Sequence, residues 1–188
     1  MALTYSNGPQ LGSEAPFFSL LCATSGKKIT RDDFSDQKIL TVIFMCNHCP
    51  YVKAVRSRIN VIAQQYKSQN VALVGINSND AENYPEDNFE AMKVESFQQG
   101  YTFHYLYDET QNVAKAYKAQ CTPDPYVYEN VDGKFLLRYQ GQIDDNWKEE
   151  DQVKSHDLAD AVESILSGQP VSTNQKPSMG CNIKWKQN

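Results

Sequence analysis

The 188-residue chain lacks the features that mark several large classes of protein. Its longest apolar stretch, residues 39–46, is far too short to cross a bilayer, and its first eight residues have no basic residue and no apolar signal core. Lysine and arginine never form a long tract, and the formal net charge is −5, which disfavours a basic nucleic-acid binder. Neither a Gly-x-Ser-x-Gly nucleophile motif nor a glycine-rich phosphate loop occurs. We therefore expect neither a membrane nor a nucleic acid as partner.

Cysteine is also scarce. Five residues, an odd number, are too few for a disulfide-dense secreted scaffold. With no targeting signal, the expected location is the reducing cytoplasm, where paired cysteines are more often catalytic or metal-binding than structural. The 40% hydrophobic and 22% charged residues are typical of a globular protein. We predict one domain over residues 1–168 and an irregular tail, residues 169–188, that packs on the domain or extends from it.

Extended and helical patterns alternate along the chain, which indicates an α/β protein. Residues 38–45 and 71–77 are apolar and rich in β-branched residues, as in strands covered on both faces. Between them, apolar residues recur every three or four positions from Pro50, which predicts a helix in a parallel crossover. Further predictions are an N-terminal hairpin over residues 15–30, a loop with an inserted helix over 78–99, a strand over 101–107, helices over 109–117 and 155–166, and a hairpin turning at Asp132-Gly133.

The most informative feature is the run Cys46-Asn47-His48-Cys49-Pro50, where the first buried strand gives way to the helix. Two cysteines separated by two residues span one helical turn, so their sulfurs can reach bonding distance. We expect Cys46 at the helix N-terminus, where the dipole and unpaired N–H groups stabilise a thiolate. A protonated His48 would further stabilise the reduced form and make the pair a better oxidant.

Other interpretations of the pair have less support. A zinc site needs further ligands at regular spacing, and a haem attachment motif needs a histidine after the second cysteine, whereas His48 precedes it. Two inert core cysteines would not need a helix N-terminus. For His48 itself, the alternative is an exposed turn residue. The remaining cysteines and histidines are scattered: Cys22, His104, Cys121, His156 and Cys181.

The cysteine motif between a strand and an amphipathic helix, followed by Thr122-Pro123 before a hairpin, resembles the thioredoxin-like superfamily. That resemblance implies a central mixed sheet flanked by helices. The N-terminal hairpin and the insertion resemble the redoxin branch, which holds peroxiredoxins of the alkyl hydroperoxide reductase and thiol-specific antioxidant group and TlpA/ResA-type oxidoreductases. The Cys-Asn-His-Cys-Pro-Tyr run and a tail with Gly180-Cys181-Asn182 resemble a sparsely characterised subgroup.

The resemblance implies a thiol–disulfide oxidoreductase with protein or small-molecule thiols and disulfides as partners and no cofactor beyond the cysteines. Cys46 would attack, Cys49 would resolve the mixed disulfide, and His48 would tune the potential. Pro123 would form a cis peptide bond and face the pair. The positions that would contact substrate are Thr122, Asn47 and Pro50.

The sequence departs from both family patterns. Leu40 stands where thioredoxins carry a buried aspartate, and Met45 stands where they carry an aromatic residue. The peroxiredoxin pattern Pro-x-x-x-Thr-x-x-Cys is not met, because counting back from Cys49 gives Cys46 and Val42. A thiol-dependent peroxidase with an antioxidant role is therefore the alternative enzyme, and a redox-sensing binding module is the non-catalytic alternative.

Two further features bear on the site. No acidic residue occurs between Cys46 and Asn79, and the basic residues there would favour a thiolate and attract acidic or anionic substrates, unless they form a solvated helix face. Cys121 and Cys181 are possible additional redox thiols, with a buried structural role as the alternative, and Cys22 is expected to be inert. The basic residues are Lys53, Arg56, Arg58 and Lys67.

Overall fold

The computed structural model describes residues 3–187, and its regular elements form a mixed α/β fold. The strands are β1 (Leu3–Tyr5), β2 (Ser19–Cys22), β3 (Lys28–Thr30), β4 (Ile39–Phe44), β5 (Val71–Asn77), β6 (His104–Tyr107), β7 (Cys121–Thr122), β8 (Asp124–Val131), β9 (Lys134–Gln140) and β10 (Met179–Asn182). The helices are α1 (Pro50–Tyr66), α2 (Phe89–Gln98), α3 (Asn112–Tyr117) and α4 (Asp157–Leu166). In the described part of the chain, none of the helices is long and apolar enough to cross a membrane.

The central sheet has seven strands in the order β3-β2-β6-β5-β4-β8-β9. Strands β4, β5 and β6 run parallel, and the outer pairings are antiparallel. The sheet separates two apolar clusters, one formed with α1 and α4 and the other with α3. This confirms the predicted mixed sheet flanked by helices, with the N-terminal hairpin formed by β2 and β3.

The apolar residues of strand β4 are continuous, whereas those of helix α1 recur every three or four residues, and each pattern fits the element that it forms. Every residue of β4 is buried, as expected for a central strand covered on both faces. Helix α1 buries Val52, Val55 and Ile59 at three- and four-residue steps, and Pro50 occupies its first turn, where no N–H partner is needed. Strands β4 and β5 are parallel on either side of α1 in the chain, so the predicted crossover unit is confirmed.

The hairpin of β8 and β9 turns at Asp132 and Gly133. Both residues have positive φ, 51° and 84°, the backbone that a two-residue turn between twisted strands requires. Asparagine, aspartate and glycine tolerate that conformation best, which is why the Asp-Gly pair predicted this turn from the sequence.

The tail is less irregular than predicted. Residues 179–182 form β10, which lies between β1 and β7 in a second, three-stranded antiparallel sheet. Cys181 and Ile183 are buried, so the tail packs on the domain. Met1, Ala2 and Asn188 lie outside the described residues, and the predicted boundaries are not tested there.

Candidate redox site

Both cysteines of the motif lie in the connection between β4 and α1. The helix begins at Pro50 with Cys49 as its N-cap, so Cys46 precedes the helix. This differs from the expectation that Cys46 would occupy the helix N-terminus. Both side chains are buried, with only 1% of Cys46 and none of Cys49 exposed.

Thr122 faces the cysteine pair from β7. Its hydroxyl oxygen lies 3.5 Å from Cys46 Sγ, and its carbonyl oxygen accepts a hydrogen bond of 3.2 Å from Cys49 Sγ. The peptide bond between Thr122 and Pro123 is cis, which confirms the predicted isomer. The two landmarks of the sequence, the cysteine pair and the Thr-Pro dipeptide, therefore meet at one place.

The pKa values of the two thiols are shifted in opposite directions. The pKa of Cys49 is lowered, chiefly by its interaction with Cys46, which outweighs burial, and then by Cys181 and the Thr122 side chain. The pKa of Cys46 is raised, mainly by burial and then by its interaction with Cys49. Cys49 makes no capping hydrogen bond, yet the Val52 N–H at the helix start also lowers its pKa. The thiolate is thus favoured at Cys49 rather than, as the sequence suggested, at Cys46.

His48 lies beside the pair and is bound to a buried carboxylate. Its Nδ1 is 2.5 Å from Asp87 Oδ2, and its ring stacks on Tyr84 with centroids 5.4 Å apart. The hydrogen bond to Asp87 raises the pKa of His48 against the opposing effect of burial. His48 is therefore an anchored imidazole that favours the protonated form, and it is not an exposed turn residue.

Asp87 is fully buried, and donors surround its carboxylate. The backbone N–H of Asn47 and the side-chain amide of Asn79 each donate a hydrogen bond of 2.7 Å. Burial alone would raise the pKa of Asp87, but the bonds from His48 and Asn79 lower it overall. A charged carboxylate is thereby held next to the motif without contact with solvent.

Sequence reasoning missed Asp87. The buried acid that is absent at Leu40 is supplied instead by the segment between β5 and α2, where Pro85–Asp87 form a single 3-10 turn. Leu40 itself packs in the apolar cluster on the α3 face of the sheet. The signal at residues 85–88, a proline followed by two acids and asparagine, is typical of a helix start and does not separate a site acid from a capping acid.

Asn47 is committed to internal contacts. Its side-chain amide donates to the Glu86 carbonyl at 2.8 Å, and its side-chain oxygen accepts from the Tyr105 hydroxyl at 2.8 Å. These bonds hold the motif against the insertion and β6, which gives Asn47 a positioning role, and its contact with substrate stays a prediction. Pro50, the other motif residue assigned to substrate, is exposed.

The edge of β7 is paired with the chain's own tail. Cys181 stands opposite Thr122 and Asn182 opposite Cys121 in an antiparallel ladder. The resemblance places Thr122 in contact with substrate, and in the structure β10 pairs with the strand that carries Thr122. Thr122 therefore pairs with the tail in the ladder and contacts the two cysteines through its hydroxyl and its carbonyl oxygen.

The other three cysteines differ in their surroundings. Cys181 belongs to the same apolar cluster as Cys46 and Cys49, whereas Cys22 lies in the cluster on the opposite face, with its sulfur 3.6 Å from His104 Nδ1. Cys121 Sγ points at Ser178 Oγ, 3.7 Å away, and its pKa is raised by burial and then by the charge of Asp124. Cys181 is thus the extra thiol that the fold brings to the pair.

One group of side chains near the pair has the composition of a metal site. A ligand atom from each of Cys46, His48 and Asp87 lies within 4.8 Å of the others. The hydrogen bond between His48 and Asp87 already joins two of the three, and Asn47 and Asn79 occupy other positions on the carboxylate. The arrangement is therefore better suited to proton transfer among the three groups than to binding a metal ion.

Two of the four basic residues that follow the cysteine pair form ion pairs. Arg56 forms an ion pair of 2.5 Å with Glu95 of α2, and Arg58 pairs at 2.5 Å with Asp144 in the loop after β9. Arg58 and Asp144 are buried, so the first residue of the acidic run 144–151 packs against α1. These two arginines stabilise the packing of α1 and do not form an attractive surface for anionic substrates.

Residues 10–160 match the family model described as Redoxin, which covers most of the chain. The chain belongs to the redoxin family. This redoxin therefore shares the thiol redox function of that family in general terms. No curated protein sequence matches the chain.

Solved structures agree with the fold. An uncharacterized conserved protein from Geobacillus kaustophilus is 42% identical with a TM-score of 0.93, covering 100% of this redoxin and 98% of that chain. A hypothetical protein from Sinorhizobium meliloti 1021 is 41% identical with a TM-score of 0.90, covering 98% and 100%. The thioredoxin domain of a thiol-disulfide oxidoreductase from Bacteroides vulgatus, at 14% identity, TM-score 0.63 and coverage of 84% and 99%, shows that the fold is thioredoxin-like.

Proposed function

We propose that this redoxin is a thiol–disulfide oxidoreductase that cycles between a Cys46/Cys49 dithiol and a disulfide. The observation that carries the proposal is the placement of both cysteines at the start of α1, where their sulfurs contact Thr122 beside the cis Thr122–Pro123 bond. Interaction with Cys46 lowers the pKa of Cys49, and the thiolate is the attacking species in disulfide exchange.

The electrostatics suggest an order of attack that reverses the one implied by the resemblance. The Cys49 thiolate attacks a substrate disulfide, forming a mixed disulfide and releasing one substrate thiolate. Cys46 then attacks Cys49 Sγ, which forms the Cys46–Cys49 disulfide and releases the second thiolate. His48 has a ring nitrogen within 4.8 Å of Cys46 Sγ, and Asp87 keeps the imidazole charged. His48 donates its proton to the first substrate thiolate and recovers a proton from Cys46 as Cys46 attacks.

Burial of the site supports small substrates. Both sulfurs are covered, and β10 occupies the edge of β7 that a peptide would need. We therefore propose low-molecular-weight disulfides and thiols as the preferred partners, in a cytoplasmic setting where thiols regenerate the dithiol, with no added cofactor.

Exchange kinetics with two substrates test this function. The wild type should reduce the aromatic disulfide 5,5′-dithiobis(2-nitrobenzoate), releasing its coloured thiolate, faster than it reduces insulin. Cys49→Ser should abolish the reaction, and Cys46→Ser should stop it after the mixed disulfide unless another thiol resolves it. Cys22→Ser, on the opposite face of the sheet, is the matched control: it removes at most the single reaction of Cys22 itself and should leave turnover at the pair unchanged.

Two outcomes would contradict the proposal. Equal rates for Cys49→Ser and the wild type would remove the pair from the chemistry. A disulfide that forms and is reduced once, with no turnover and with a partner affinity that changes on oxidation, would indicate a redox-sensing module.

A second candidate is a thiol-dependent peroxidase, and one observation favours it: a buried cysteine with a lowered pKa at a helix N-terminus admits only small oxidants. Cys49 would attack a hydroperoxide, break its O–O bond and form a sulfenic acid with release of the alcohol, and Cys46 would condense with the sulfenic acid to form the disulfide and water. Peroxide consumption together with sulfenic-acid trapping at Cys49 in Cys46→Ser would support this activity. If neither signal appears at millimolar peroxide, the peroxidase activity is excluded.

A further inference from the structure

Three sulfurs converge on one residue. Thr122 contacts Cys46 through its hydroxyl and Cys49 through its carbonyl oxygen, and Cys181 is its partner in the ladder of β7 and β10. Strand β10 also packs against α1, the helix that starts at the pair. The tail therefore brings Cys181 to Cys46 and Cys49 from the far end of the chain.

Gly180 permits this close approach. A Cβ at that position would lie 2.1 Å from the Thr122 carbonyl oxygen and 2.7 Å from its carbonyl carbon. Contacts under 3.0 Å to backbone atoms are not tolerated, so any larger residue would push β10 away from β7. The position next to Cys181 is thus shaped for contact with the peptide that faces the cysteine pair.

Cys181 lies in the same apolar cluster as Cys46 and Cys49, and its interaction with Cys49 helps to lower the pKa of the Cys49 thiol. Only 2% of the Cys181 surface is exposed. Cys121 lies in the adjacent strand, but its sulfur points to Ser178 and to the Pro123 carbonyl, 3.7 Å from each. Cys46 and Cys181 are therefore the two thiols that the fold brings to Cys49.

We infer that Cys181 is a second resolving thiol, so that Cys49 forms a disulfide with either Cys46 or Cys181. In the step itself, Cys181 attacks Cys49 Sγ of the mixed disulfide with substrate. The Cys49–Cys181 bond forms, the Cys49–substrate bond breaks, and the departing substrate thiolate takes the proton of Cys181. Cys46 can then displace Cys181 in a second exchange, which moves the disulfide without any change in total oxidation.

This role rests on the proposed function, because Cys49 must first react with a disulfide. Burial raises the pKa of Cys181, and the nearby Lys184 charge opposes that shift in part. Cys181 therefore keeps its proton at rest and acts only once the mixed disulfide provides a leaving thiolate. Its proximity to Cys49 replaces the need for a low pKa.

Counting the coloured thiolate released from 5,5′-dithiobis(2-nitrobenzoate) separates the two steps. The first equivalent reports attack by Cys49, and the second reports resolution. All variants carry Cys22→Ser, because hydrogen bonds, chiefly from His104, overcome the effect of burial and lower the pKa of Cys22 to about 6. In that background Cys46→Ser should still release two equivalents, and adding Cys181→Ser should slow the second by about 100-fold or more. Adding Cys121→Ser instead of Cys181→Ser should leave the release of two equivalents of thiolate unchanged.

Peptide mapping identifies the bond. Trypsin places Cys49 in residues 39–53 and Cys181 in residues 155–184, because the bond between Lys176 and Pro177 resists cleavage. Oxidised Cys46→Ser should yield these two peptides joined, in a protein that remains monomeric on a non-reducing gel.

The outcomes distinguish the two proposals. A missing first equivalent in Cys46→Ser would overturn the role of Cys49 and with it the proposed function. A normal first equivalent followed by no second one, or a link to the Cys121 peptide, would overturn the role of Cys181 alone. Far-UV circular dichroism and thermal melting of Cys181→Ser and Cys181→Ala verify that the fold is kept.

Discussion

Asp87 keeps its charge in a fully buried position because donors surround it on several sides. An unpaired buried carboxylate would be strongly destabilising, whereas bonds to charged partners are worth more than neutral ones. Its partner His48 is 39 residues earlier in the chain, so the pair also joins the motif to the insertion. At the scale of single residues, this ion pair connects stability with the protonation of the site.

Asp87→Asn should lower the pKa of His48. The hydrogen bond to the carboxylate is the main cause of the raised pKa, and burial acts in the opposite direction. The chain has three histidines, so the His48 Cε1 proton can be followed by NMR titration. Glu86→Gln is the matched control, because it removes a neighbouring charge and keeps the backbone carbonyl that accepts from Asn47. An unchanged His48 titration in Asp87→Asn would contradict this account.

The same substitution should change how stability depends on pH. The pKa of Asp87 is lowered from 3.8, so its contribution is present above 3.8 and is lost as pH falls through the lower folded value. The pKa of His48 is raised from 6.5, so its contribution is complete below 6.5 and is lost as pH rises through the higher folded value.

The wild type should therefore exceed Asp87→Asn in free energy of unfolding most clearly between pH 3.8 and 6.5. We expect a difference on the order of 1–3 kcal/mol there, shrinking on both sides. Urea denaturation inside and outside that window measures it. A difference independent of pH would mean that Asp87 acts by packing alone.

Among the elements, the buried central strands and α1 follow from the sequence because their apolar periods are long and regular. The Asp-Gly turn follows from backbone preference, and the cis bond at Pro123 from the resemblance. Strand β10 could not be predicted, since its four residues, MGCN, have no strand pattern and its partners are distant in the chain. The role of Asp87 was missed for a related reason, because only the folded chain brings the insertion to the motif.

Gly180→Ala should weaken the pairing of β10 with β7. Because the added Cβ would meet the Thr122 carbonyl at 2.1 Å, we expect a loss of about 1–3 kcal/mol in the free energy of unfolding. The freed edge of β7 should also raise the rate with insulin relative to the aromatic disulfide. Gly26→Ala is the control for a destabilising glycine substitution away from β10: its cost comes from a positive φ of 69°, and no atom lies within 4 Å of its Cβ. An unaltered ratio of rates would show that β10 does not restrict access.

At the scale of the whole molecule, the site is enclosed by segments from three parts of the chain. The motif supplies the cysteines and His48, the insertion supplies Asp87 and Tyr84, and the tail supplies Cys181. Arg56 and Arg58 of α1 hold α2 and the loop after β9 in place, so these two charges do not steer substrates. Selection among substrates should therefore depend on size.

The central claim is that Cys46 and Cys49 form a reversible redox couple whose reduced form is stabilised. The lowered pKa of Cys49 and the protonated His48 both favour the dithiol, which makes the disulfide more oxidising.

The most direct test is the reduction potential, obtained by equilibrating the protein with glutathione and dithiothreitol buffers and measuring the fraction of the 39–53 peptide that holds an internal disulfide. We predict a potential above the roughly −270 mV of thioredoxin. Failure to form the internal disulfide, or a potential below about −300 mV as in structural disulfides, would contradict the account.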